Sequence, residues 1–389
     1  MVIASAMQPI WRFMVENNTQ LKEMIRSMVI DLLQGQKQEA ASSQPVKQAP
    51  RGQVEPGVFD TVDDAIQAAK AAQARFEDCT LATREKVIAD IRATMRPRVQ
   101  ELAQKTVEET GMGRVADKVL KLNLTLDKTP GVEDLVTECE TGDNGMTLYE
   151  LSAYGVIGAI TPSTNPAETL ICNTIGMLAA GNAVFFSVHP GAKHLSRLLV
   201  SELNQIIAKS IGIENLIVTL REPSIESAQE MMLHPDVSLL VVTGGPGVVK
   251  QALQSGKKVI GAGAGNPPAF VDETADIKKA AQDIVLGASL DNNILCIAEK
   301  SVVAMRQIEP QLVQEMVKAG CVLIDNQQDI QRLVDLTVLP NGTPNKKFVG
   351  KNASVILDAA HIPYNGDPRL IIMRTPKDHP FAVIEMLMP

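Results

Sequence analysis

The chain's most reactive residue by type and setting is Cys296, in Asp291-Asn292-Asn293-Ile294-Leu295-Cys296-Ile297-Ala298-Glu299-Lys300. A thiolate is a strong nucleophile, and its addition to a carbonyl gives a hemithioacetal. That adduct can release hydride if a nicotinamide lies over it. A lone cysteine is also commonly a small buried hydrophobe, so both readings stand on position alone. Upstream runs Gly261-Ala262-Gly263-Ala264-Gly265-Asn266-Pro267-Pro268, a glycine-rich strand end expected to face the thiol. It holds no carboxylate. A thioester on Cys296 would therefore lack an obvious base to activate water, which favours acyl transfer onto a second thiol.

Three further stretches have chemistry-bearing types at strand ends. Asn165 follows the apolar run Val156–Ile160 in Thr161-Pro162-Ser163-Thr164-Asn165-Pro166. It reads either as a turn and helix cap or as an amide donor to an oxyanion, with a backbone N–H near Cys296 as the other donor. Thr243-Gly244-Gly245-Pro246-Gly247 follows Leu239–Val242 and opens a helix, as a turn beside a pyrophosphate does. It lacks GxGxxG, and a tight turn with no ligand fits equally. His189-Pro190 follows Ala183–Ser187, either as a surface loop or at the ligand-binding end of a strand.

These residues need a scaffold. Between 153 and 272, short apolar runs alternate with helical patterns. Strands are expected at Val156–Ile160, Ala183–Ser187, Leu216–Val218, Leu239–Val242, Lys258–Ile260 and Ala269–Val271, with helices at 167–179, 192–209, 224–233 and 247–254. Apolar strands without alternation suit a parallel sheet covered on both faces, hence a Rossmann-type doubly wound α/β fold. A cofactor domain is expected over 57–272 and a second α/β domain, bearing the thiol, over 273–389. In the latter, strands are expected at Ser301–Ala304, Val322–Ile324 and Val355–Leu357, and helices near 309–318 and 327–335. Thr61 and Asp64 form a candidate capping box before the stripe Ile66, Ala69, Ala72, Phe76. More helix is expected over 82–110. Thr141-Gly142-Asp143-Asn144-Gly145 predicts a hairpin within 131–150.

The N-terminal 34 residues read as a separate element. Leu21, Met24, Ile25, Met28 and Leu32 share one face of a helix over 20–34. A Gln-, Ser-, Ala- and Pro-rich linker follows over 35–56. A helix on such a tether reads as a docking peptide; packing on its own domain is the alternative. Met14-Val15-Glu16-Asn17-Asn18 looks like a natural start. The ending, Glu385-Met386-Leu387-Met388-Pro389, reads as the interior of a domain rather than a tail.

Composition narrows the partners. With 3% aromatic residues and a net charge of -8, neither stacked-base recognition nor a broad basic face is expected, so nucleic acid and anionic membranes are disfavoured. Five scattered cysteines without a CxxC pair argue against a disulfide framework or a zinc cluster and fit a reducing compartment. No run reaches transmembrane length.

The stretches Glu109–Gly113, Thr129–Glu133, Thr161–Pro166, Thr243–Gly247, Gly261–Pro268, Asp272–Asp276 and Asn292–Lys300 together resemble the CoA-acylating branch of the aldehyde dehydrogenase superfamily. Propionaldehyde dehydrogenases of bacterial microcompartments are most similar, with the acetaldehyde enzymes of ethanolamine utilisation next. The resemblance implies Cys296 as nucleophile and Asn165 as oxyanion donor. It implies cofactor contacts at Thr161, Pro162, Ser163, Thr243, Gly244, Gly245 and Gly263, a shared NAD and CoA nucleotide pocket near His189 and Pro190, and Glu385 at the nicotinamide-side ribose. Ala262 falls where hydrolytic relatives carry a general-base glutamate. NAD+ is expected ahead of NADP+, coenzyme A as co-substrate, propanal ahead of acetaldehyde, and no metal. The resemblance also implies a homodimer or tetramer bridged through 131–150, further catalytic-domain chain beyond Pro389, shell-protein docking through the N-terminal helix, and a microcompartment lumen in the bacterial cytoplasm. Open alternatives are a hydrolytic aldehyde dehydrogenase, a glutamyl-phosphate reductase-like enzyme, and a non-catalytic cargo or scaffold protein.

Overall fold

The computed structural model describes residues Glu55–Pro389. The helix expected over 20–34, the start at Met14 and the linker up to residue 54 lie outside them. The chain opens with β1 (Val58–Phe59), α1 (Val62–Glu77), α2 (Leu81–Met95), α3 (Val99–Thr110) and α4 (Val115–Lys128). Thr61 caps α1, its side chain accepting from the Asp64 N–H, and Ile66, Ala69, Ala72 and Phe76 are all buried. Pro97 lies in a short 3-10 turn between α2 and α3, which breaks the expected 82–110 helix in two. The hairpin follows as β2 (Glu138–Gly142) and β3 (Gly145–Tyr149), antiparallel about Asp143-Asn144.

Then come β4 (Val156–Ile160), α5 (Pro166–Ala179), β5 (Ala183–Ser187), α6 (Lys193–Ile211), β6 (Ile217–Leu220), α7 (Ile225–Leu233), β7 (Val237–Thr243), α8 (Pro246–Leu253) and β8 (Lys258–Ala262). The sheet is parallel, in the order β1-β6-β5-β4-β7-β8. Strands β4, β5 and β6 are buried throughout because helices cover both faces. The chain runs outward from β4 through β5 to β6, then returns to the other side of β4 at β7. The order therefore reverses between β4 and β7, and open α/β sheets bind ligands in the crevice at such a point.

The remainder comprises β9 (Pro268–Val271), α9 (Ile277–Ser289), β10 (Ser301–Ala304), α10 (Glu309–Lys318), β11 (Cys321–Ile324), α11 (Gln327–Thr337), α12 (Ala353–Ala359), β12 (Leu370–Met373) and α13 (Pro380–Val383). Two expectations change here. The strand expected at Ala269–Val271 does form, but it pairs with β10 and not with the six-stranded sheet, and Val271 joins a core with α9 and α10. The change of sheet thus falls before Pro268 rather than after 272. The strand expected at Val355–Leu357 is helical instead. Ala353, Ile356, Leu357 and Ala360 are buried at helical spacing; three apolar residues in a row are too few to fix a period.

Candidate active site

The carboxyl ends of β4 and β7 carry the residues that sequence assigned to a cofactor. Thr161, Pro162 and Ser163 leave β4, and Thr243, Gly244 and Gly245 leave β7, flanking the switch point. The Thr161 N–H donates to the Ser187 carbonyl at 3.2 Å, while its buried Oγ1 has no partner. A buried hydroxyl left unbonded is costly unless a ligand meets it. A side chain on Gly244 would meet Val248 Cγ1 at 2.7 Å, whereas nothing lies within 4 Å of a Cβ on Gly245 or Gly263. The orphaned hydroxyl and the open glycine surface suit a polar nucleotide crossing these strand ends.

His189 and Pro190 follow β5. The His189 Nδ1 accepts from the Gly191 N–H at 3.0 Å, so the ring helps shape its own turn. Protein packed around the imidazole, and then nearby Lys346, hold His189 below the ordinary histidine value although the residue stays exposed. The amino end of α6 begins beside it. The His194 and Leu195 N–H groups there donate to the two Glu109 carboxylate oxygens at 2.8 and 2.7 Å.

Cys296 is half-buried and follows a short left-handed stretch of backbone. Asp291, Asn292 and Asn293 have φ of 50°, 56° and 60°. Left-handed conformation costs roughly 1–2 kcal/mol per ordinary residue, and Asn and Asp tolerate it best. Side chains hold the turn closed. Asp291 accepts from the Arg114 N–H at 2.8 Å, Lys118 Nζ at 3.0 Å and Lys121 Nζ at 2.5 Å. The Asn292 amide donates to the Gly350 carbonyl and Asn352 Oδ1, each at 2.9 Å. Lys300 Nζ then gathers Asn293 O, Asn293 Oδ1 and Leu295 O at 3.1, 2.6 and 2.7 Å. Burial pushes Lys300 down to about 8, opposed by Glu385, Cys296 and Glu299.

The glycine run does lie against the thiol loop. A Cβ on Gly265 would sit 2.6 Å from the Cys296 carbonyl oxygen, and the Lys300 N–H donates to the Pro267 carbonyl at 2.9 Å. Ala262 ends β8, exposed. Two carboxylates do lie nearby. Glu299 packs against Gly287 on α9, where a Cβ would meet its Oε2 at 2.6 Å. Glu385 acts on Lys300 through its charge and keeps a buried, unbonded Oε1. A cavity of about 690 Å³ opens behind the loop, lined by Asn293, Glu299 and Lys300 among others but not by Cys296.

Asn165 reaches the thiol loop through residues the sequence reading passed over. Its Oδ1 accepts from Lys121 Nζ, which also pairs with Asp291 and with Glu168 at 3.1 Å. Lys118 Nζ donates to the Thr164 carbonyl at 3.2 Å. Burial, then the charge of Lys121, drives Lys118 below the ordinary lysine value. Burial would also lower Lys121, but Glu168 and Asp291 outweigh it and raise it. The signal in sequence was two lysines at 118 and 121, three apart and so on one face of a helix, beside the leucines at 122 and 126.

The aldehyde dehydrogenase family pattern matches residues 33–332. The chain belongs to that family. This aldehyde dehydrogenase is 47% identical over 374 residues to the CoA-propanoylating propanal dehydrogenase of Salmonella typhimurium, covering 96% of this chain and 78% of the relative. It is 44% identical to the acetylating acetaldehyde dehydrogenase of Escherichia coli over 86% of this chain and 72% of the relative. Among solved structures, the Rhodopseudomonas palustris propionaldehyde dehydrogenase with bound CoA and an acylated cysteine is 48% identical at TM-score 0.82, covering 86% of this chain and 76% of that one.

Of the other thiols in this aldehyde dehydrogenase, Cys321 is buried and pushed up to about 12 by that burial, too high to ionise near neutrality. Cys139 and Cys172 are exposed, and the Cys79 Sγ–H contacts its own helix at the Arg75 carbonyl. Among the described residues, no group of three or more His, Cys, Asp or Glu side chains is placed to hold a metal ion, and no helix is long and apolar enough to cross a membrane.

Proposed function

We propose that the chain oxidises a short-chain aldehyde, propanal in preference to acetaldehyde, to acyl-CoA. The observation that carries this reading is the contact of the Cys296 loop with Gly265, inside a run that offers no carboxylate from Gly261 to Pro268. The Cys296 thiolate attacks the aldehyde carbon. The Asn165 amide donates to the oxyanion, a contribution of about 3–4 kcal/mol for one such donor. Loss of hydride leaves an acyl thioester on Sγ, and the CoA thiolate takes the acyl group. Bound NAD+ would supply the acceptor for that hydride. Thr161, Pro162, Ser163, Thr243, Gly244, Gly245 and Gly263 would hold it, with His189 and Pro190 toward the adenosine and Glu385 at the nicotinamide-side ribose. Water is a poor competitor because Ala262 brings no base. The relatives that act on propanal and acetaldehyde with CoA support the choice of substrates. One solved relative, from the fucose-utilisation microcompartment of Clostridium phytofermentans, is 47% identical at TM-score 0.83 over 86% of this chain and 77% of that one. It supports a microcompartment lumen as the working location; shell protein met through residues 20–34 and copies joined through the β2–β3 hairpin complete the proposal.

The test is NADH formation with propanal and acetaldehyde, with and without CoA, alongside assay of acyl-CoA and free acid. Acyl-CoA that tracks NADH is expected. Free acid released as fast without CoA overturns the proposal in favour of hydrolysis.

A further inference from the structure

We infer that Lys121 is the positioning residue that fixes the orientation of the Asn165 amide and locks it to the nucleophile loop. The inference rests on the reading of Asn165 as oxyanion donor and adds a residue to it. An amide side chain can present either its oxygen or its nitrogen in one direction, and only the nitrogen end can donate to an oxyanion. A lysine ammonium donates and never accepts. Lys121 Nζ lies against the Asn165 side chain, so the oxygen must face the lysine whatever flip is assigned. Nδ2 is thereby turned away from the lysine, with a 3.2 Å contact to the neighbouring Thr164 Oγ1, and is the end that can donate to an oxyanion.

The same ammonium bonds Asp291 Oδ2 at 2.5 Å, five residues before Cys296, while Lys118 bonds that oxygen and the Thr164 carbonyl. Donor and nucleophile are thus held from one buried point. Lys118, Lys121, Asp291 and Glu168 are all buried, and their formal charges cancel. Stability does not require such a cluster, since apolar residues of similar volume commonly serve as well or better. Orientation of the amide does require a donor at this place.

The experiment follows transfer of the acyl group from propionyl-CoA to Cys296 by rapid quench and intact-protein mass, which needs no nicotinamide. Thioester exchange conserves electrons: the CoA thiolate leaves as the Cys296 thiolate enters. The main variant is Lys121→Met with Glu168→Gln, which removes one charge of each sign. Lys121→Leu with Glu168→Gln is the second, for use if the first does not fold. Either should slow acylation by about 10²- to 10³-fold, the loss typical of one oxyanion donor. Adding Asn165→Ala should cost nothing further, and Lys121→Arg should recover most of the rate. Alkylation of Cys296 by iodoacetamide, which uses no oxyanion donor, should stay within about threefold of wild type. Undiminished acylation, losses that multiply with Asn165→Ala, or an equal loss of alkylation each overturn the inference. A wild-type chain that propionyl-CoA does not acylate overturns instead the function on which it rests.

Discussion

Replacing Asp291 by Asn should destabilise the protein by about 3–5 kcal/mol, the cost of leaving buried charges unpaired. Asp291 is 0% exposed in its side chain, with Lys118 at 3.0 Å and Lys121 at 2.5 Å on one carboxylate oxygen. Asparagine keeps the volume and tolerates the left-handed backbone, but its single oxygen can serve either the Arg114 N–H or the lysines, so its NH2 faces a donor on the other side and the cost includes that lost acceptor as well as the charge. Lys121 retains Glu168, and Lys118 loses its carboxylate. Lys86–Asp90 supplies the control. That pair is as short, at 2.7 Å, but its side chains are 58% and 42% exposed. Solvent screens it, and Asp90→Asn should cost about 0.3–0.5 kcal/mol. Distances of 2.5–3.0 Å in one case and 2.7 Å in the other with unequal costs would mean that burial, not proximity, sets the energy. Urea unfolding of both variants gives the comparison from midpoints at constant m value. A change below about 1 kcal/mol for Asp291→Asn, or equal costs for the two, would refute the reasoning.

Three other outcomes are expected. Cys296→Ser should abolish acyl-enzyme, because an unactivated hydroxyl is a poor nucleophile; acylation at residue 296 with normal turnover would contradict its role. Ala262→Glu should raise free acid relative to acyl-CoA by supplying a base at the end of β8, and an unchanged product ratio counts against the role given to that position. Turnover should fall above about pH 8 as Lys300 loses a proton and can no longer serve its three acceptors. Its folded value lies below the ordinary 10.5, so the protonated form is the one the fold disfavours. The stability contributed by this group therefore rises from about pH 8 toward 10.5 even as turnover drops. Lys300→Arg should move the alkaline limb upward; an unmoved limb assigns it to another group.

The scaffold was largely legible because its signals are local. The runs Val156–Ile160, Ala183–Ser187 and Ser301–Ala304 carry their strands in apolar composition, and their observed bounds are those expected. Helix α4 was passed over for a physical reason. Leu120, Leu122, Leu124 and Leu126 alternate with polar residues, the pattern of a strand. The helix instead buries Leu122 and Leu126, leaving Leu120 and Leu124 61% and 60% exposed. With α4 unseen, Lys118 and Lys121 could not be placed, and they connect Asn165 to the thiol loop. Their partners, Asp291 and Glu168, are 173 and 47 residues from Lys118 and Lys121 respectively. A residue's nearest neighbours in sequence carry no trace of such a pairing. The strand at Pro268–Val271 was seen, but the sheet it joins depends on long-range pairing, which composition does not encode.

At the amino end of α6, Glu109 already occupies two main-chain donors. Two of the four main-chain donors that a helix start leaves free are thereby taken, so a phosphate beyond β5 would lean the more on side chains such as His189 and Lys346. Main-chain groups are common to every sequence, whereas an imidazole or an ammonium can be exchanged singly. Exchange of either side chain would accordingly change the charge at this strand end without disturbing the fold beneath.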